Sequence, residues 1–420
     1  MHLYETPLVF ALIGLVLYTV LAGADFGAGL WQLLAGRGPA AARLRDHAHD
    51  SMAAVWEANH VWLIFVITVV WTAYPAAFGS VASTLSVPLF IAAVGIIFRG
   101  AAYALRAGTS SPREVRVVDT VFSLSSILTP FALGAAVGGI ASRRVPVGNA
   151  AGHLFSSWLN PTSVLVGTLA VAIAAYLAAV YLAADAVRLG EHDLARQFQA
   201  RALAAGFLAG AIAIGGLIVV HSDAHPLYHR LVSGDGLAAL IVSILAGLAT
   251  FVSVGRSHFE LSRYTAALAV AATIAGWALA QRPTFLPGLT IERAAASHDT
   301  LVAVVVAVIA GGAILFPSLA LLFRLVLGGQ LDYSPTTAPP ARPGKALLSA
   351  STSGLLTRSA AACLVAGIGF LTVADAGWAH AIGVASLFGF IVLGFLAVVP
   401  AELAADHRAA NSERRSPPTA

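Results

Sequence analysis

Apolar residues run through this chain in long blocks, and polar residues are confined to the gaps between blocks and to a few positions inside them. A spanning helix needs about 20 mostly apolar residues. The blocks predict eleven such helices, at 7–35, 52–74, 77–106, 117–142, 162–186, 200–221, 234–254, 260–281, 299–327, 355–375 and 378–400. The second and third are separated only by Tyr74-Pro75-Ala76, a turn signal that folds them into a hairpin. The irregular connections fall at 143–161, 282–298 and 328–354. The last of these contains "SPTTAPPARPGK", whose prolines mark a linker, and the polar tail after His407 reads as disordered. The opening Met-His-Leu-Tyr-Glu lacks the basic flank of a signal peptide, so the first block reads as a true spanning helix.

Composition agrees with the pattern. Of 420 residues, 58% are hydrophobic and 10% charged, with a mean hydropathy of +0.84, whereas a soluble domain averages about 25% charged. The lone Cys363 excludes an internal disulfide and a Cys-rich metal site. The net charge of +4 bears on membrane orientation rather than on nucleic acid. With the N-terminus on one side of an eleven-helix chain, Arg143, Arg144, Arg230, Arg282 and Arg293 fall on that side, and the other 19 of the 24 Lys and Arg residues fall opposite. The positive-inside rule then puts the N-terminus outside and the C-terminus in the cytoplasm.

On that map the polar groups inside the blocks collect at the cytoplasmic side of four consecutive helices. Asp25 lies in "AGADFGAG", Glu57 in "VWEANHVWLI", Arg99 in "GIIFRG", and Asp119 near the start of the fourth block. A charge facing lipid costs several kcal/mol, about 2.5–3.5 on insertion scales, so these groups should face the bundle interior and one another. Glu57 and His60 share a helix face at i, i+3. Gly23, Gly27 and Gly29 permit close helix approach around Asp25. Two readings stand side by side. One is an ion-paired bundle in which Arg99 neutralises one acid. The other is a proton inlet in which buried carboxyls hand protons inward from the cytoplasm.

The segments "GADFGAG", "VWEANHVWLI", "YPAAF", "IIFRG" and "WLNPTSVLVG" resemble the signature segments of subunit II of the cytochrome bd-type quinol oxidases, in order and spacing. Weaker similarity continues through "AADAVRLGEHDLARQFQARA" and "ILFPSLALLF", covering about residues 5–333. The resemblance implies an all-α polytopic membrane protein with about nine core transmembrane helices, arranged as two four-helix bundles plus a peripheral helix. The last two blocks become an added C-terminal hairpin. The domains are then 1–333 for the membrane core, 334–354 for the linker, 355–402 for the hairpin and 403–420 for a cytoplasmic tail. It also implies a bacterial inner-membrane location and a heterodimer with subunit I, which carries haems b and d and the quinol site. This subunit would hold no haem or metal of its own, with room for a structural quinone, and would line a proton path built on Asp25, Glu57 and Asp119. Glu57 stands where the family motif usually has Asp, and Ala58 where it usually has Gly.

The remaining candidates carry less. Asn59 and His60 would keep Glu57 hydrogen-bonded, and His60 reads as a bundle histidine rather than a haem ligand. Trp56 and Trp62 read as packing and interface anchors, with quinone contact the lesser alternative. "HSDAHPLYH" spaces His221, Asp223, His225 and His229 like a metal site, but Pro226 is expected to break the helix that would align them, leaving a solvated loop. The function implied is the non-haem subunit of a quinol:oxygen oxidoreductase. A proton-coupled secondary transporter would also use buried acids and Gly-rich helices, and a third alternative is a scaffold that only stabilises subunit I.

Overall fold

A computed structural model describes residues 2–36, 38–53, 56–106, 111–327, 352–373 and 377–398. These form two compact units, Met1–Leu325 and Val326–Ala420. The expected tail at 403–420 and nearly all of the linker at 334–354 lie outside the described residues.

In the first unit a 3-10 turn at Leu3–Glu5 leads into α1 (Thr6–Leu33), followed by α2 (Pro39–Ala53), α3 (Trp56–Ala73), α4 (Pro75–Thr84), α5 (Ser86–Arg106) and α6 (Pro112–Ala141). The second half contains α7 (Pro161–Arg188), α8 (His192–Asp223), α9 (His225–Ser233), α10 (Leu237–Gly255) and α11 (Phe259–Gln281). A two-stranded hairpin of β1 (Thr284–Leu286) and β2 (Leu289–Thr290), the single turn α12 (Ile291–Ala294) and α13 (His298–Leu327) complete it. The second unit is a hairpin of α14 (Thr352–Val373) against α15 (Gly377–Val398). Among the described residues, eight helices of the first unit are long and apolar enough to span a membrane; the apolar stretch Asn59–Ala73 of α3 is shorter.

The packing resolves into two four-helix groups. Helices α1, α3, α5 and α6 form one, and α7, α8, α10 and α11 the other, joined where α1 and α6 lie against α7. Helix α13 is peripheral and carries exposed Val306, Ile309 and Ile314. Small residues let α1 and α7 approach closely: a Cβ at Gly27 would collide with the Ala174 backbone. The Trp31 indole also donates to the Ala175 carbonyl across this contact, at 2.8 Å.

Several expected boundaries move for physical reasons. The block 77–106 is interrupted at Leu85, because Pro88 cannot donate to the Thr84 carbonyl four residues back. Helix α8 begins at His192 rather than at 200, since its polar first turns are invisible to hydropathy. Pro226 opens α9 rather than breaking helical order, because a proline in the first turn needs no N–H; the loop expected there is largely helical. Residues 39–53, most of which fall between the first two predicted helices, form the amphipathic α2, which buries Ala41, Leu44 and Ala48 on one face.

Contacts gather at the two ends of the bundle. At one end Arg282 pairs with Glu5 at 2.5 Å, the Tyr74 hydroxyl donates to the Tyr4 carbonyl at 2.6 Å, and the Ala296 N–H donates to the Ala73 carbonyl at 2.8 Å. At the other end Arg43 pairs with Glu191, and Arg188 with Glu260 at 3.4 Å.

Candidate functional site

Among the described residues, the most buried charges of the first unit meet between α1, α5 and α6. Asp25 and Arg99 are 1% and 2% exposed, and Arg99 Nη2 lies 2.5 Å from Asp25 Oδ1. The same nitrogen donates to the Asp25 carbonyl at 3.0 Å, and Nη1 donates to the Ser126 hydroxyl, which in turn donates to the Phe122 carbonyl at 2.6 Å. The Phe122 ring lies 4.0 Å from the guanidinium carbon and the Phe26 ring 5.2 Å from it. Gly29 makes this meeting possible, because a Cβ there would strike Ser126. A pair this dry is held by its hydrogen bonds and ring faces as much as by charge, since desolvation offsets most of the Coulomb gain. Asp25 Oδ2 has no hydrogen-bond partner among the described residues.

Seven residues farther along α5, and seven back along α6, a second, wetter cluster forms. Arg106 on α5 lies 3.5 Å from Asp119 on α6 and 3.7 Å from Asp46 on α2. His49 of α2 stacks on Tyr103, their centroids 5.0 Å apart. Burial, and then the Arg106 charge, hold the His49 imidazole below its ordinary pKa, so α2 brings a mostly neutral base to this cluster. Helix α2 is fixed by His47, whose Nε2 lies 3.0 Å from the Leu182 carbonyl.

The structure thus brings Asp25 and Arg99 into contact, and it hands Asp119 to Arg106 rather than to Arg99. Glu57 and Trp56 fall in the first turn of α3, and their side chains lie outside the described residues. Asn59 is buried and donates to the Leu21 carbonyl at 3.4 Å, tying α3 to α1. The His60 ring lies 6.1 Å from both Tyr18 and Phe26, and so one aromatic ring away from Arg99. Trp62 packs against the cluster of Tyr18, Ala22 and Phe26. In "HSDAHPLYH", Asp223 accepts from Arg144 at 3.0 and 2.6 Å and from the Thr162 hydroxyl at 2.6 Å, which commits it to joining α8 to α7. His221 makes ring contacts with His225 and Tyr228. Among the described residues no group of three or more His, Cys, Asp or Glu is placed to hold a metal.

A family model for cytochrome bd terminal oxidase subunit II matches residues 5–326, more than three quarters of the chain. The chain belongs to the cytochrome bd terminal oxidase subunit II family. It is an all-α, multi-pass membrane protein, and the family places it in the bacterial inner membrane. It is 26% identical over 183 residues to cytochrome bd-I ubiquinol oxidase subunit 2 of Escherichia coli K12, covering 41% of this chain and 46% of that one. It is 28% identical over 114 residues to cytochrome bd ubiquinol oxidase subunit 2 of Bacillus subtilis, covering 27% and 33%. The matched stretch therefore spans less than half the length of these two relatives. Among solved structures, the bd oxidase from Geobacillus thermodenitrificans has a chain of similar fold, with a TM-score of 0.59 and 24% identity, covering 78% of this chain and 99% of that one.

Within a member of this family, three features of the site escaped the sequence. The Arg106–Asp119 pair was hidden because Arg106 sits at a helix end, where it reads as a snorkelling interfacial residue. The amphipathic α2 fell below any hydropathy threshold. Asp185, 2.5 Å from Arg263 and 3.1 Å from Arg188, closes the same end of the second bundle; its i, i+3 spacing from Arg188 was the available signal.

Proposed function

We propose that this chain is the non-haem second subunit of a membrane quinol:oxygen oxidoreductase of the bd type, and that it lines a cytoplasmic proton-uptake path serving oxygen reduction in a haem-bearing partner. The observation that carries the reading is the match over residues 5–326, together with a buried carboxyl and guanidinium at the two signature segments "GADFGAG" and "IIFRG". Haems b and d and the quinol site belong on this reading to the partner, and a structural quinone in this chain remains compatible with it. Protons would enter at the Asp46–Arg106–Asp119 cluster and pass inward by way of Asp25 and Glu57, with Arg99 holding the Asp25 carboxyl in place.

Purification of the tagged chain from its native membrane tests this directly. A haem-bearing membrane partner should co-purify, and the complex should consume oxygen when supplied with a quinol. A chain that purifies alone and moves a solute in exchange for protons would replace this reading with the transporter.

The same reading puts the N-terminus outside and the cluster around Arg106 in the cytoplasm. Single cysteines introduced as Ser110→Cys and Val147→Cys, in a Cys363→Ser background, should react with an impermeant thiol reagent from opposite faces of the membrane. Labelling from one face would overturn the helix count. The second unit lies beyond the family match and is proposed as a peripheral hairpin. Deletion of residues 335–420 should leave assembly with the partner and most turnover in place; loss of assembly would make the hairpin part of the core.

A further inference from the structure

One stripe of α1 carries more buried polarity than the ion pair uses. Tyr18, Asp25 and Gln32 are spaced seven residues apart, two helical turns or about 10.5 Å along the axis, and so fall on one face of the helix. They are 5%, 1% and 4% exposed. Each holds polar atoms with no hydrogen-bond partner among the described residues: the Tyr18 hydroxyl, Asp25 Oδ2, and both Nε2 and Oε1 of Gln32. A Gln amide with all its hydrogen-bonding capacity unmet, inside a bundle, is unfavourable. Such groups are ordinarily satisfied by internal water.

Their register matches the neighbouring helices. Asp25, Arg99 and Ser126 meet at one level. Seven residues inward on each helix stand Gln32, Arg106 and Asp119, and the last two are paired. One turn outward on α6, the fully buried Thr129 hydroxyl also lacks a partner among the described residues, and it faces Gly95 on α5. Buried, unmet polar atoms therefore continue from the wet cluster past Asp25 toward Tyr18.

We propose that Gln32 and Tyr18 flank Asp25 in a water-bridged proton path, Gln32 as a positioning residue and Tyr18 as a relay hydroxyl. Gln32 links the Arg106–Asp119 cluster to Asp25, and Tyr18 carries the path beyond it. About 10 Å between levels, less the reach of the side chains, is the span of two or three hydrogen-bonded waters. A Gln amide both donates and accepts, so it orients water without itself gaining or losing a proton. Each transfer breaks one O–H bond and forms another on the next oxygen, and the Tyr18 hydroxyl donates outward while accepting from the Asp25 side.

The inference rests on the proton-uptake reading, and the test separates the two. In the purified complex with its haem-bearing partner, turnover per haem is measured in Gln32→Met, Tyr18→Phe and Asp25→Asn. Gln32→Met conserves volume and removes the unmet amide, so thermal stability should hold or rise. Turnover should fall about tenfold, on the scale of a lost proton-transfer group, with a larger solvent deuterium isotope effect, and Gln32→Asn should recover most of it. Tyr18→Phe should slow turnover similarly with the complex intact. Wild-type turnover in Gln32→Met or in Tyr18→Phe, beside a slow Asp25→Asn, would remove that residue from the path. Wild-type turnover in Asp25→Asn as well would remove the proton-uptake reading itself.

Discussion

Arg99→Leu should leave little folded protein. The substitution strips a carboxylate that is 1% exposed of the guanidinium 2.5 Å away, and it also removes the donors to the Asp25 carbonyl and to Ser126. Breaking one side of a buried pair costs about 3–5 kcal/mol, because the remaining charge stays buried without compensation. Total stabilities run only about 5–15 kcal/mol. The variant should therefore extract poorly in detergent and unfold well below wild type. Asp25→Asn in the same background removes the orphaned charge, so the double variant Asp25→Asn/Arg99→Leu should recover most of the lost stability while regaining no turnover. Thermal unfolding of the four purified proteins, followed by loss of the monodisperse complex, measures the cycle. If Arg99→Leu unfolds with wild type, the pair is not what holds α5 and α6 against α1.

How much of this was legible beforehand follows from what each signal measures. Hydropathy located the spanning helices because burial in lipid demands continuous apolar runs. It is blind to α2, where Arg43, Arg45, Asp46 and Asp50 mask an apolar stripe only three side chains wide. Sequence placed Asp25, Arg99 and Asp119 at one end of four helices but had no means of pairing them. The register between α5 and α6 is set by side-chain packing such as Thr129 against Gly95, and that register carries Asp119 past Arg99 to Arg106. Pro226 misled because a proline has opposite meanings in the first turn and the interior of a helix, and nothing in "HSDAHPLYH" says which applies. The stripe of Tyr18, Asp25 and Gln32 was visible as a seven-residue repeat. Its meaning depended on all three being buried, which an amphipathic exterior face would equally have spaced.

Glu57→Gln should lower oxygen consumption and membrane-potential generation together, by about tenfold or more, while haem content and assembly stay near wild type. The residue lies in the first turn of α3, the helix that Asn59 ties to α1 four residues before Asp25. It sits two and three positions before Asn59 and His60. Gln preserves the size and most of the hydrogen bonding of Glu but cannot ionise. A fall in turnover without a fall in assembly therefore isolates proton transfer, which general acid–base substitutions typically penalise by about 10²–10⁴ when the step becomes limiting. Glu57→Asp should be mild, because the ionisable group survives with one methylene fewer. A purely structural role predicts the opposite order: Gln would be tolerated for its matching shape, and Asp would loosen the turn. Turnover per haem in the purified complex decides between them. Wild-type turnover in Glu57→Gln would confine the proton path to Asp25 and its neighbours on α1, α5 and α6.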